Sequence, residues 1–344
     1  MVVVKETMPS TNLKKSLNLK GSLNLKKIDM VAGKSPEKNP GVTISGNKSL
    51  RNSKVLPKKS GSRRKRTVAL VFSGGAIRGF SEVGAYIAID EFLQENNFEV
   101  KALAGTSFGA IVAGFVASGY SGKDLYKISE TQWNKMHRIL DIDLFGNGLL
   151  KGENFRKALE LLTHKKRFSQ VSSDLSINAV DIISGKEFFF SRKGLYSLDG
   201  TVVHQGDLLI SDAMRSSCSI PVVFPPVRMN GLFLVDGGLI NPLPLHLIDM
   251  KKYDLVIAID VCMANFDFIS GNDLSKRGII EQSVSIIQRQ YHFDNIDCAQ
   301  RDNGNLIVIR PKVGQVNPMK KEEFKRAIEC GYYETKHYLD ILKD

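Results

Sequence analysis

A serine flanked by glycines is the first candidate for chemistry in this sequence. It lies in Gly105-Thr-Ser107-Phe-Gly109, after the apolar run Val100–Ala104 and before the small and apolar residues of Phe108–Ser118. The first run predicts a strand and the second predicts a helix. A G-x-S-x-G segment between a strand and a helix is typical of a nucleophile elbow, a strained turn that presents the hydroxyl at a helix N-terminus. We therefore predict that Ser107 is a nucleophile and that Gly105 and Gly109 make room for the turn.

A second segment, Ser73-Gly-Gly-Ala-Ile-Arg-Gly79, follows the predicted strand Thr67–Phe72. Glycines here can turn the backbone sharply, so that several N–H groups point at a phosphate or at a developing oxyanion. Ala76 breaks the dinucleotide-binding pattern, and the segment lacks the Gly-Lys-Ser/Thr of a Walker loop. Taken alone, it also fits a plain strand-to-helix turn.

The third segment, Asp236-Gly237-Gly238, follows the predicted strand Leu232–Val235. A carboxylate followed by two residues without side chains can be approached closely by another chain segment. Aspartate ionises near pH ~3.9 in water and is then a poor base, but desolvation beside an apolar pocket raises its basicity. Asp236 is thus a candidate base for Ser107, although Asp-Gly-Gly alone also fits an ordinary turn.

Histidines offer an alternative base. His246, His292 and His337 all follow Asp236, so a Ser-Asp-His triad in the chain order of the α/β-hydrolases stays open. None of the three occupies a glycine-marked loop of its own, and we expect surface or packing roles for them.

Together and in this order, the three segments resemble those of patatin-like phospholipases. The resemblance covers residues 67–340 and includes Asn241 and Pro242 after the aspartate and Ser219-Ile-Pro221 before its strand. The chain is most similar to compact bacterial members and to the catalytic domain of neuropathy-target-esterase-like proteins.

The resemblance implies a role for each residue of the three segments. Ser107 would attack an acyl carbonyl and Asp236 would accept its proton. Arg78 would fix the glycine-rich loop or neutralise charge. The oxyanion would be held by the backbone N–H groups of Gly74, Gly75 and Ala76. The glycines expected to support the three segments are Gly79, Gly105, Gly109, Gly237 and Gly238. Many members of the family have glycine where this chain has Ala76.

The activity implied is that of a serine lipid acyl hydrolase of the phospholipase A or lysophospholipase type, with a Ser-Asp dyad and an acyl-enzyme intermediate. Its substrate would be a phospholipid or a lysophospholipid, and neither a cofactor nor a metal is expected. Two alternatives are a Ser-Asp-His α/β-hydrolase and a catalytically silent lipid-binding protein of the same fold.

The remaining elements alternate between strands and helices. This alternation predicts a three-layer α/β/α sandwich with a central, mostly parallel sheet, as in the patatin-like fold. Paired strands are predicted at Leu175–Ile183 and Glu187–Ser191, and Asn230-Gly231 predicts a hairpin turn. Further elements are predicted as helices at Glu82–Gln94, Leu208–Ser217, Ile279–Gln290 and Glu322–Leu342, and as strands at Leu255–Val261 and Leu306–Ile309.

The net positive charge of the chain comes from its N-terminal residues. Residues 1–66 contain 17 lysines and arginines against 3 acidic residues, a net charge of +14, whereas the other residues contain 31 against 33. We therefore predict a basic, disordered segment over 1–66 and one acyl hydrolase domain over 67–344, with no nucleic-acid partner. The four scattered cysteines, the absence of a signal-like apolar stretch and the absence of a membrane-length apolar run suggest a cytoplasmic protein.

The basic segment carries the repeat Ser-Leu-Asn-Leu-Lys at 16–20 and 22–26. Leucines among lysines can rest on an anionic membrane, because charge and apolar contact reinforce each other there, so peripheral membrane contact is one hypothesis. A solvated linker or a targeting peptide is the alternative.

Deleting residues 1–66 should leave turnover of a water-soluble ester intact and weaken binding to anionic liposomes. Cosedimentation with liposomes, compared with the full chain, measures this effect. Unchanged binding would exclude a membrane contact through this segment.

Overall fold

The computed structural model describes residues 65–135, 149–262, 276–314, 316–317 and 320–342. The predicted disordered segment 1–66, with its proposed membrane contact, lies outside the described residues except for Lys65 and Arg66.

A single ten-stranded sheet organises the described part of the chain. Its parallel portion runs in the order β10-β9-β1-β2-β3, and an antiparallel extension continues beyond β3. The strands are β1 Arg66–Phe72, β2 Phe98–Gly105, β3 Asp174–Asp181, β4 Glu187–Ser191, β5 Gly194–Ser197, β6 Val202–Gln205, β7 Val227–Met229, β8 Leu232–Asp236, β9 Leu255–Ile259 and β10 Leu306–Ile309.

Helices cover both faces of the sheet. They are α1 Phe80–Glu95, α2 Phe108–Ala117, α3 Gly122–Asn134, α4 Glu153–Leu162, α5 Ile210–Ser217, α6 Lys276–Asp302 and α7 Lys321–Ile341. Side chains alternate between the faces of β1, so Leu70 and Phe72 pack in the core that holds α1, α2 and α7, while Val71 packs on the opposite face with Leu245 and Ile296. The predicted three-layer α/β/α fold is confirmed.

Strand register brings the ends of several strands to one level. Phe72, the last residue of β1, lies opposite both Gly105 of β2 and Ile259 of β9. The residues that follow these strands therefore share the carboxyl edge of the parallel sheet, which is where open α/β sheets bind their ligands.

The strand that carries the aspartate reaches the same edge from the opposite direction. β3 extends past β2, and β8 pairs antiparallel with this extension, so that Asp236 lies opposite Ala179. Because Gly105 lies opposite Ile177, Asp236 is two residues beyond the end of β2. The hairpin β7–β8 turns at Asn230 and Gly231, whose φ angles of 48° and 85° fit the predicted Asn-Gly turn.

Several elements differ from the sequence prediction. The short strands β5 and β6 and the helices α3 and α4 were not predicted, and α6 is longer than expected. β5 and β6 have only four residues each, too few to establish a period, and they form by pairing, β5 with β4 and β6 with β5. Within the described residues, no helix is both long enough and apolar enough to cross a membrane.

Candidate active site

Ser107 lies in a strained turn between β2 and α2. Its φ of 53° and ψ of −122° are unusual for a residue with a side chain, and Ser107 directly precedes the first turn of the helix. The Ser107 N–H donates to Ser217 Oγ at 2.8 Å, which fixes the turn from α5. Gly109 permits this geometry, because a side chain there would collide with the carbonyl oxygens of Phe72 and Ser73.

The Ser107 hydroxyl donates directly to the Asp236 carboxylate, with Oγ and Oδ2 2.6 Å apart. Both residues are buried, at 5% and 6% exposure. The second carboxylate oxygen accepts from the Gly238 N–H at 2.8 Å, and the Asp236 N–H donates to the Ser219 carbonyl at 3.0 Å. The carboxylate is thereby held on both sides while one oxygen faces the serine.

Burial changes the chemistry of Asp236. Desolvation raises its pKa to about 6, against smaller lowering effects from the hydrogen bonds of Ser107 and of the Gly238 N–H. A carboxylate of this pKa is ionised at neutral pH and is a better proton acceptor than an ordinary aspartate.

The glycine-rich loop lies beside the serine. A methyl group on Gly74 would lie 3.4 Å from Ser107 Cβ. The Arg78 N–H donates to the Gly75 carbonyl at 3.0 Å and closes a single 3₁₀ turn over Ala76–Gly79. Ala76 has a φ of 47°, a conformation that glycine adopts without strain, which explains why a glycine would suit this position.

The structure corrects one expectation for this loop. The Gly74 N–H donates to the Pro242 carbonyl at 2.7 Å, so it anchors the loop and is not free to hold an oxyanion. Within the described part of the chain, the N–H groups of Gly75 and Ala76 have no hydrogen-bond acceptor. They are the two amides of this loop that are available to a ligand.

The segment after Asp236 ties the other two segments together. Besides the bond from Pro242 to Gly74, the Asn241 carbonyl accepts from Thr106 Oγ1 at 3.0 Å and from Asn178 Nδ2 at 3.1 Å. Asn178 is fully buried on β3 and also accepts from Thr106 Oγ1 at 2.8 Å. Gly237 is required beside it, since a side chain there would lie 2.5 Å from Asn178 Oδ1.

The end of β9 clamps the start of the glycine-rich loop. The Ser73 N–H donates to the Ile259 carbonyl at 3.1 Å, and Ser73 Oγ accepts from the Val261 N–H at 2.8 Å. Ser73 Oγ also donates to Glu82, whose complete burial raises the pKa of its carboxyl well above the usual range.

A buried carboxylate with two side-chain partners lies next to this clamp. Asp260 Oδ2 accepts from His292 Nε2 at 2.9 Å and from Arg310 Nε at 3.0 Å. Burial alone would raise the pKa of Asp260, but the hydrogen bonds and charges of His292 and Arg310 lower it overall. These two contacts join α6 and the end of β10 to the end of β9.

None of the recorded contacts of the three downstream histidines within the described residues involves the serine. His292 is the buried partner of Asp260, and His337 is exposed on α7. His246 Nδ1 lies 2.8 Å from Asn241 Nδ2, and its Nε2 lies 3.4 Å from Glu187 Oε2. The expectation of surface or packing roles is consistent with these positions.

Sequence reasoning missed several residues that shape the site. Ser217 binds the Ser107 N–H and Asn178 binds Thr106, although they lie 110 and 72 residues away along the chain. Asp260 acts less directly, because its neighbour Val261 donates its N–H to Ser73 Oγ, 188 residues away. Only Ser219, Asn241 and Pro242 carried a signal, as flanks of the aspartate segment.

Comparison with known proteins identifies the family of the chain. The sequence profile of the family described as patatin-like phospholipase matches residues 70–249, which include all three segments. An NTE family protein of Mycobacterium tuberculosis, Rv1063c, is 28% identical over 194 residues, covering 56% of this chain and 49% of the relative. The chain thus spans about half the length of that relative.

Two further similarities extend over more of the chain. Lysophospholipase NTE1 of Meyerozyma guilliermondii is 24% identical over 330 residues, covering 85% of this chain but 20% of that protein. The crystal structure of VipD from Legionella pneumophila superposes with a TM-score of 0.48 at 17% identity, covering 80% of this chain and 67% of VipD.

The raised pKa of Asp236 predicts a pH-dependent stability difference. The folded carboxyl, with a pKa of about 6, keeps its proton at pH values where the unfolded one, near 3.8, has lost it. The resulting stabilisation is complete below the unfolded pKa and is lost as the pH rises through about 6. Asp236→Asn cannot ionise, so it should be about 3 kcal/mol more stable than wild type at pH 8 and nearly equal at pH 4.

Urea denaturation at both pH values measures this difference. Asp174→Asn, which replaces an exposed carboxyl on β3, is measured beside it as the matched control. A difference for Asp236→Asn that is the same at pH 4 and pH 8 would contradict a raised pKa.

Proposed function

Because the chain belongs to the patatin-like phospholipase family, we propose that it is a serine lipid acyl hydrolase with Ser107 and Asp236 as its catalytic dyad. The observation that carries this proposal is the 2.6 Å hydrogen bond from the Ser107 hydroxyl to the buried Asp236 carboxylate. A nucleophilic hydroxyl needs an adjacent base, and here the base is in direct contact with it.

In the acylation step, Ser107 Oγ attacks the ester carbonyl carbon as its proton moves to Asp236 Oδ2. The C–O bond of the ester then breaks, and Asp236 returns the proton to the departing alcohol oxygen. The products are an acyl-Ser107 ester and either a lysophospholipid, when the substrate is a phospholipid, or a glycerophosphodiester, when it is a lysophospholipid. The raised pKa of Asp236 suits both proton transfers.

In the deacylation step, Asp236 removes a proton from water, which attacks the acyl-Ser107 carbonyl. The bond from the carbonyl carbon to Oγ breaks, and Asp236 gives the proton back to Ser107. A fatty acid leaves and the dyad is restored. One carboxylate thus serves as base and acid in turn, with no histidine.

Negative charge on the carbonyl oxygen would be held by the N–H groups of Gly75 and Ala76. The loop that carries them is anchored at Gly74 by Pro242 and at Ser73 by β9, so the donors are positioned before substrate arrives. The N-terminus of α2 adds a favourable dipole at the same place. Arg78 would neutralise charge near this loop.

We assign phospholipids or lysophospholipids as the substrate class. Support comes from the family description and from relatives named lysophospholipase and probable lipid hydrolase. A catalytically silent lipid-binding protein is the competing function, and activity measurements separate the two.

Ser107→Ala and Asp236→Asn should each abolish fatty-acid release from mixed phospholipid liposomes in EDTA. Loss of the nucleophile or its base should lower the rate by at least about a thousandfold. His246→Ala and His337→Ala are the matched controls and should retain activity. A histidine variant as inactive as Ser107→Ala would favour a triad, and a folded wild type that neither releases fatty acid nor reacts with a fluorophosphonate would favour the binding protein.

The pH dependence of kcat/KM on a soluble ester should report the ionisation of Asp236. Because the ionised carboxylate is the base, kcat/KM should rise with pH and level off above about pH 6. Repeating the profile at several temperatures identifies the group, since a carboxyl ionises with little enthalpy and an imidazole ionises endothermically. A midpoint that falls steeply on warming would contradict an aspartate base.

A further inference from the structure

Exposed aliphatic side chains gather at the tips of two neighbouring hairpins. The β3–β4 turn carries Ile182 and Ile183, and Ile183 is 76% exposed. Leu198 and Val202 flank the β5–β6 turn and are also exposed. A salt bridge of 2.9 Å between Lys186 and Asp199 joins the two turns, so the four side chains form one group.

These tips project from the same edge of the sheet as the catalytic serine. β3 runs parallel to β2 and continues beyond it, with Ile177 opposite Gly105 at the end of β2. Ile182 directly follows β3 and lies five residues past Ile177, about 16 Å for an extended chain. The hairpin tips therefore stand past the level of Ser107, on the side from which substrate must come.

A strained valine lies on the same edge. Val222 has a φ of 71°, which is rare for a β-branched residue, and its side chain is 67% exposed. It is three residues from Ser219, whose carbonyl binds the Asp236 N–H. Its own carbonyl accepts from the N–H of Leu149, another exposed aliphatic residue. Strain that holds an apolar side chain in water beside a site calls for a function.

The hairpin β7–β8 connects the valine to the two tips. It begins five residues after Val222, and the Phe233 carbonyl accepts from the Ile182 N–H at 3.0 Å. Arg228 is exposed on this hairpin, with its guanidinium 5.1 Å from the centre of the Phe233 ring. Ile240, four residues after Asp236, adds one more exposed aliphatic side chain near the serine.

We propose that this edge docks on the surface of a lipid bilayer and inserts its aliphatic side chains among the headgroups. The surface, here called the apolar rim, consists of Ile182, Ile183, Leu198, Val202, Val222 and Ile240. This inference rests on the proposed function and specifies that the lipid substrate is taken from a bilayer.

A bilayer fits the rim better than a folded partner for two reasons. The aliphatic side chains stand on separate turns with polar residues between them, such as Ser184 and Asp199, so they suit single insertions into a soft surface. A lipid that left the bilayer would also expose its acyl chain to water, and each methylene would disfavour that transfer about fourfold. Docking at the site's own edge avoids this exposure.

The test measures binding of the full chain to phosphatidylcholine vesicles in the Ser107→Ala background, where lipid is not consumed. Ile183→Glu and Val222→Glu should each raise the dissociation constant about tenfold or more, because each removes an inserted aliphatic group and adds a charge. High salt and the absence of anionic lipid reduce any contribution from the basic residues 1–66.

Leu161→Glu is the matched control, since Leu161 is 65% exposed and aliphatic but lies at the opposite edge. The carbonyl of the neighbouring Leu162 accepts from the hydroxyl of Tyr120. Tyr120 lies just past the C-terminal end of α2, whereas Ser107 lies at the N-terminal end of the same helix. This variant should bind vesicles as the parent does. Unfolding midpoints in urea should not fall in any variant, since the substituted side chains are exposed and glutamate tolerates the positive φ of residue 222 better than valine does.

Wild-type vesicle affinity in both rim variants would overturn the proposal. It would also be overturned if light scattering showed a parent oligomer that the rim variants dissociate, because the rim would then be a protein interface. Vesicle binding does not require catalysis, so a wild type that binds through the rim but releases no fatty acid would refute the proposed function alone.

Discussion

Direct contact between the Ser107 hydroxyl and the Asp236 carboxylate sets the main constraint on this structure. Oxygen atoms 2.6 Å apart must come from two different strands, and the carboxylate must be buried for its pKa to rise to about 6. Burial of an ionisable group costs free energy unless its remaining acceptor sites are satisfied. The Gly238 N–H satisfies Oδ1, so the arrangement needs a backbone that cannot relax away from the pair.

β3 provides that backbone because it pairs with both functional strands on the same side. Its first half is parallel to β2, which leads to Ser107, and its second half is antiparallel to β8, which ends at Asp236. The distance between the two side chains is therefore fixed through one strand. Buried Asn178, on the same strand, bonds to Thr106 and to the Asn241 carbonyl and so locks the loops on either side of the pair.

Local sequence was sufficient to predict the motifs and their contexts. Ser107, Asp236 and the glycine-rich loop each sit at a strand end whose composition identifies it, and the alternation of strands and helices predicted the layered fold. The features that the sequence did not reveal depend on strand register, which decides which distant residues lie opposite each other. The bond from Gly74 N–H to Pro242 joins residues 168 positions apart, and no local pattern marks an amide as already occupied. The strands β5 and β6 were missed for a similar reason, because their order comes from pairing in the sheet and not from their own four residues.

The short distance between Ser107 and Asp236 also explains the positions of the histidines. An imidazole between Ser107 and Asp236 would need several ångströms of space, whereas the two oxygens are already in hydrogen-bond contact. His246, although only ten residues after Asp236, instead bonds to Asn241 and lies beside Glu187, which in turn accepts from Asn178. It thereby extends the polar network beneath the aspartate loop. Under the proposed function, the base that a histidine supplies in a triad would here be a carboxylate, and its basicity would be set by burial.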